Sequence, residues 1–106
     1  MTADPRRHDN DDKKVIAMDL QDYRKQINEI DDQMLELFEQ RMKVAADIGL
    51  YKQLHGLPVL DAAREEQKLK DVSGKLPEDL KDYGQRLYKL LMELSREYQN
   101  GRTTQC

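Results

Sequence analysis

Four cations carry the first chemical signal in this chain: Arg24, Arg41, Lys52 and Arg64. The first three sit among the apolar residues of one long helical stretch, and Arg64 follows a turn, next to Glu65. Positive charge set against apolar surface is costly unless anions meet it there. The residue types therefore ask for an acidic ligand, and Arg in particular suits carboxylates. Ser95 and Gln99 lie one turn apart on a later helical stretch and add two uncharged hydrogen-bonding groups beside an apolar stripe. The sequence holds no Cys/His cluster, no Gly-rich phosphate loop and no nucleophile–base motif.

Spacing sorts the cations. Arg41 and Lys52 are separated by about three helical turns and point the same way, with Ala45 and Ile48 between them. Long side chains leaning inward from both ends can close on one small anion above Ala45. Arg24 falls ~25 Å further along the axis and ~100° around it. It cannot reach the same small ligand from the same helix, but in a two-fold antiparallel pairing it can reach the pocket of a second chain. Taken singly, each residue has a plainer reading. Arg24 has Asn28 and Glu29 a turn away, Arg41 can snorkel past apolar neighbours, and Lys52 suits a helix C-terminus. Asp61 can be only a cap, and Arg64-Glu65 only first-turn charges. The case for a site rests on the joint spacing.

Helices must position these groups. Asp19 is a plausible N-cap, with Asp22 in the first turn. From Leu20 the apolar residues recur at helical spacing: Tyr23, Ile27, Ile30, Met34, Leu37, Phe38, Ala45, Ile48. Gly49 is the weak point, worth about 1 kcal/mol against Ala in a helix interior. Gly56 and Pro58 stop the helix, so it spans about 20–55. Asp61 caps a second helix from Ala62 to about Val72. Pro77 suits the first turn of a third, which continues to about Asn100 with the stripe Leu80, Tyr83, Leu87, Leu90, Leu91, Leu94, Tyr98. Residues 1–18 are polar and read as a disordered tail, residues 19–100 as the functional domain, and residues 101–106 as a fraying end.

Composition sets the outer limits. The chain has 106 residues, enough for one domain. With 18 basic and 21 acidic residues its formal net charge is −3, which argues against a nucleic-acid surface. Only 5 Gly, 3 Pro and 1 Phe are present, with no Trp, and that scarcity favours an all-α fold over a β-sandwich. No apolar run is long enough to span a membrane, and no signal core is visible near Met1, so a cytoplasmic setting is the default. Cys106 is the only cysteine, which leaves no intrachain disulfide and no metal set. His8 and His55 have no companions and read as surface residues.

One chain falls short of burying its own helices. A helix of ~35 residues is ~52 Å long, whereas a compact domain of ~100 residues has a radius of gyration near ~13 Å. Two shorter helices cannot cover such a rod. A two-fold homodimer is the economical solution.

The joint spacing resembles the all-helical chorismate mutases. The resemblance runs from about Leu20 to Gln99. It is carried by Tyr23-Arg24-Lys25-Gln26-Ile27-Asn28-Glu29-Ile30-Asp31, by Glu39-Gln40-Arg41, by Ile48-Gly49-Leu50-Tyr51-Lys52, by Pro58 through Glu65, and by Ser95 with Gln99. It implies an intertwined homodimer, with three helices per chain and two shared sites. It implies chorismate as substrate, prephenate as product, and no cofactor or metal. Arg24 is similar to the arginine donated across the dimer to a substrate carboxylate, and Arg41 to the in-chain carboxylate-binding arginine. Lys52 and Gln99 resemble the donors to the ether oxygen of the breaking bond. Asp61 resembles the residue that helps position the substrate hydroxyl, Arg64 a second-helix arginine near a carboxylate, and Glu65 the acceptor for the hydroxyl. Ser95 resembles the hydroxyl that assists carboxylate binding. A neutral Gln99 stays a donor at any ordinary pH, so the implied rate is nearly flat around neutrality.

Two rivals stand beside this. Isochorismate–pyruvate lyases share the fold and the Arg and Lys positions, but they tend to lack the Arg64-Glu65 pair that is intact here. A non-catalytic helical dimer that binds or regulates a partner fits the long stripe and the charged surface. It does not account for the placement of the cations, Ser95 and Gln99.

Overall fold

The computed structural model describes residues 19–104, and among them it is all-helical, with no strand. Three α-helices follow one another: α1 over Leu20–Leu54, α2 over Ala62–Gly74 and α3 over Lys81–Thr104. A short 3-10 turn, Glu78–Leu80, precedes α3. The expected tail at residues 1–18 lies outside the described residues. No described helix is long and apolar enough to cross a membrane. The chain divides into two compact units, Met1–Phe38 and Glu39–Cys106.

Within the described part of the first unit, the start of α1 is fixed by a reciprocal cap. Asp22 N–H donates to Asp19 Oδ1 at 3.0 Å, and Asp19 N–H donates to Asp22 Oδ2 at 3.1 Å. Two backbone donors that the helix leaves open are thereby satisfied, and both carboxylates sit at the positive end of the dipole. The apolar stripe then runs exposed. Ile27 is 56% accessible and Ile30 51%, and Leu20, Met34 and Leu37 are exposed as well.

The second unit holds the interior. Here α1 presents Ala45, Ala46 and Gly49, all buried, and α3 presents Met92, Ser95 and Gln99, also buried. Small residues on one helix allow the other to come close. A Cβ at Gly49 would stand 3.0 Å from Gln99 Cβ and 3.1 Å from its Cγ. The glycine that weakens α1 locally is thus what admits Gln99.

Each connection has a physical cause. Gly56 adopts φ +67°, the left-handed region that glycine enters without a Cβ penalty. Gly56 N–H then donates to Gln53 O, and Leu57 N–H donates to Lys52 O at 2.8 Å. This pair of bonds is the Schellman termination, and Pro58 follows it. Asp61 caps α2 by accepting from Arg64 N–H at 3.1 Å. The helix ends at Gly74, two residues past Val72. Pro77 stands outside the third helix because its ψ of 158° is extended. Its carbonyl accepts from Leu80 N–H at 3.0 Å, the bond that closes the 3-10 turn. At the far end, Gly101 does not turn left-handed, and α3 continues to Thr104, past Asn100.

Candidate active site

A cavity of about 460 Å³ opens within the second unit, inside the ~300–1,000 Å³ range of small-molecule sites. All three helices contribute. One face of α1 supplies Arg41, Ala45, Ile48 and Lys52, at the spacing that stacks side chains along a helix. The start of α2 supplies Asp61, Arg64, Glu65 and Lys68, and α3 supplies Tyr88, Met92, Ser95, Arg96 and Gln99. Among the sequence-derived candidates the structure brings together Arg41, Lys52, Asp61, Arg64, Glu65, Ser95 and Gln99. Arg24 belongs to the first unit and is not among the lining residues.

The lining is strongly cationic. Arg41, Lys52, Arg64, Lys68 and Arg96 face only two carboxylates, Asp61 and Glu65. Among the described residues, Arg96 is the one lining cation in an ion pair, and its partner is Glu65. Among the described residues no other lining cation forms an ion pair, so the cavity suits an anion with more than one negative charge.

Hydrogen bonds hold the groups in place. Arg41 Nη1 donates to Ser95 Oγ at 2.6 Å, and its guanidinium carbon lies 5.9 Å from the centre of the Tyr88 ring. That distance is near the outer limit of a cation–π contact. Ser95 Oγ in turn donates to Leu91 O at 2.8 Å, one turn back along α3. By accepting from Arg41, Ser95 holds the arginine in place, and its own proton has protein acceptors in Leu91 O and, at 3.9 Å, Met42 Sδ. Lys52 Nζ donates to Val59 O at 2.7 Å, which ties it to the α1–α2 connection and leaves two of its donors for other partners.

Gln99 is 7% exposed, and its Oε1 is buried without a hydrogen-bond partner. An unpaired buried amide oxygen costs about 1–3 kcal/mol, and such groups call for a reason. Close packing against Gly49 holds this side chain, and the residue lines the cavity. Asp61 has a divided position. One oxygen serves the α2 cap, and the residue also lines the cavity.

A family model for chorismate mutase type II matches residues 23–100. The chain belongs to that family. No curated protein matches the chain, and no solved structure does. The family match takes in all of α2, most of α1 and α3, and every cavity residue named above. Membership agrees with the all-helical structure.

Some residues of this chorismate mutase family site were not legible beforehand. Arg96, Lys68 and Tyr88 line the cavity and were not singled out. A signal was present. Tyr88, Met92, Ser95, Arg96 and Gln99 recur at helical spacing, so extending one face from Ser95 and Gln99 picks up the rest. Lys68 lies one turn beyond Arg64 on α2.

Proposed function

We propose that the chain is a chorismate mutase that rearranges chorismate to prephenate, a step in the formation of phenylalanine and tyrosine. The observation that carries this reading is the excess of unpaired cations around one cavity, with Lys52 and Gln99 among its lining residues. Membership in the family supports it. Chorismate bears two carboxylates, which matches the charge that the lining leaves unanswered.

The reaction is unimolecular. The ether C–O bond breaks as a C–C bond forms, with no proton, nucleophile or electron carrier involved. The chain's contribution is then positional and electrostatic. Arg41 and Arg64 hold the flexible dianion in its compact, reactive conformer. Ser95 acts through Arg41, which it fixes. Lys52 and the Gln99 amide donate to the ether oxygen as negative charge grows there, and losing one such donor typically costs ~10²–10³ in rate. Glu65 accepts from the substrate hydroxyl, and Asp61 helps to position it.

The functional form in this proposal is an intertwined homodimer. Arg24 of the partner subunit completes each cavity. The exposed stripe of α1 supports this reading, because contiguous apolar surface of that kind marks an interface. So does the small interior, in which Ala45, Ala46 and Met92 are the buried hydrophobic residues among those described. A cytoplasmic setting belongs to the same proposal.

The test is direct. The purified protein is added to chorismate, and the loss of chorismate absorbance is followed together with prephenate formation. Turnover supports the reading. A protein that leaves chorismate unchanged and instead releases salicylate from isochorismate is a lyase.

A further inference from the structure

Glu65 has a long side chain with free rotation and sits among cations at the start of α2. Arg64 is its neighbour, Lys68 follows one turn later, and Lys52 lines the same cavity. Left free, the carboxylate would swing among them. It would also lose a fixed position from which to accept a hydroxyl proton. The structure shows what prevents this. Arg96 reaches from α3 and donates from Nη1 to both carboxylate oxygens of Glu65. The pair is three-quarters buried, with side-chain exposures of 30% and 25%. Burial of that degree shields the attraction from solvent screening better than a surface pair.

We propose that Arg96 is a positioning residue that acts through Glu65. It holds the carboxylate at the cavity wall as an acceptor for the substrate's hydroxyl. Arg96 therefore sets the preference for a hydroxylated dicarboxylate over the same skeleton without the hydroxyl. This rests on the mutase reading, with Glu65 as hydroxyl acceptor.

The experiment uses two probes. Both are bicyclic ether dicarboxylates shaped like the rearranging substrate, one carrying the hydroxyl and one with hydrogen in its place. Inhibition constants are measured for the wild-type chain, Arg96→Gln, Arg96→Lys and Glu65→Gln. In the wild type the hydroxyl should improve binding roughly ten- to hundredfold, the scale of a hydrogen bond to a charged group. In Arg96→Gln that advantage should fall to within about threefold, while the dehydroxy probe binds no worse than about twofold. Arg96→Lys should restore part of it, and adding Arg96→Gln to Glu65→Gln should cost nothing more.

Equal weakening of both probes in Arg96→Gln would make the residue a structural strut and overturn the assignment. If that variant does not fold, Arg96→Lys decides, since full wild-type discrimination there or equal weakening of both probes also overturns it. A wild-type chain that turns over chorismate while Arg96→Gln keeps the full hydroxyl advantage refutes the role of Arg96 alone. A wild-type chain that neither turns over chorismate nor binds either probe refutes the mutase reading, and this inference with it.

Discussion

The two halves of α1 carry similar helical patterns and end in different environments. Over residues 20–38 the stripe is built from large side chains, Leu20, Tyr23, Ile27, Ile30, Met34 and Phe38, and all are exposed. Over residues 39–54 the inward positions are small, Ala45, Ala46 and Gly49, and all are buried. Size explains the difference in use. Small residues let α3 approach and bring Ser95 and Gln99 to Arg41 and Lys52. Large residues at helical spacing are suited to interdigitating with another apolar surface. The first half is exposed apolar surface, which the proposed homodimer would cover, and the second half is a wall of the cavity.

Substitutions can break or sharpen that contrast. The largest effect should come from Arg41→Ala in the site half. Removing a group that holds a substrate carboxylate should lower kcat/KM by about 10³, the upper range for a lost charge partner. Circular dichroism and molar mass should stay unchanged. Steady-state kinetics on chorismate checks the first point, and a solely structural role for Arg41 would show instead as lost helicity.

Next comes Ile30→Asp in the stripe half. If the stripe packs against a second chain, an unpaired carboxylate enters an apolar interface twice, once from each subunit. The dimer dissociation constant should rise by at least ~10². Sedimentation across a concentration series reads it. A solvated stripe would give a change within about 0.5 kcal/mol, the usual size of a surface effect.

Gly49→Ala probes how closely α1 and α3 must approach. The new Cβ meets Gln99 at 3.0–3.1 Å, so the amide has to shift by a few tenths of an ångström. Alanine gains about 1 kcal/mol of helix propensity, against roughly 1–3 kcal/mol for overpacking. Stability should therefore fall by about 0–2 kcal/mol, while kcat falls about tenfold through the displaced amide. A thermal melt measured beside kcat separates the two effects. The smallest effect belongs to Lys43→Ala. Its i,i+4 pair with Glu39 is 71% and 69% exposed, and losing it should cost no more than about 0.5 kcal/mol with kcat unchanged.

Much of this was legible in the sequence because the signals are local. Asp19, Gly56 and Asp61 mark helix ends through their own side chains and dihedrals, and each does so in the structure. Arg41 and Lys52 share a face by helical arithmetic alone. What escaped depends on contacts between helices. The apolar stripe leading into α3 is the visible feature, yet Leu80 in the 3-10 turn and Tyr83, Leu87, Leu90 and Tyr98 on α3 are exposed. The buried face of α3 is instead the one carrying Met92, Ser95 and Gln99. Arg96 reads as a surface cation until α2 places Glu65 against it. Gly49 reads as a defect until Gln99 is seen beside it. Pro77 fits a first helical turn by φ, and only its ψ reveals the 3-10 turn that follows.

The central claim is that each site is completed by a second chain, which supplies Arg24 to a cavity built around Arg41. Co-expressing Arg24→Ala and Arg41→Ala chains and assaying the mixture tests this most directly. Each variant alone has no intact site. Random pairing makes about half the dimers mixed, and one of the two sites in each mixed dimer is whole, so about a quarter of wild-type activity should return. A mixture no more active than the two variants assayed separately would contradict the shared site.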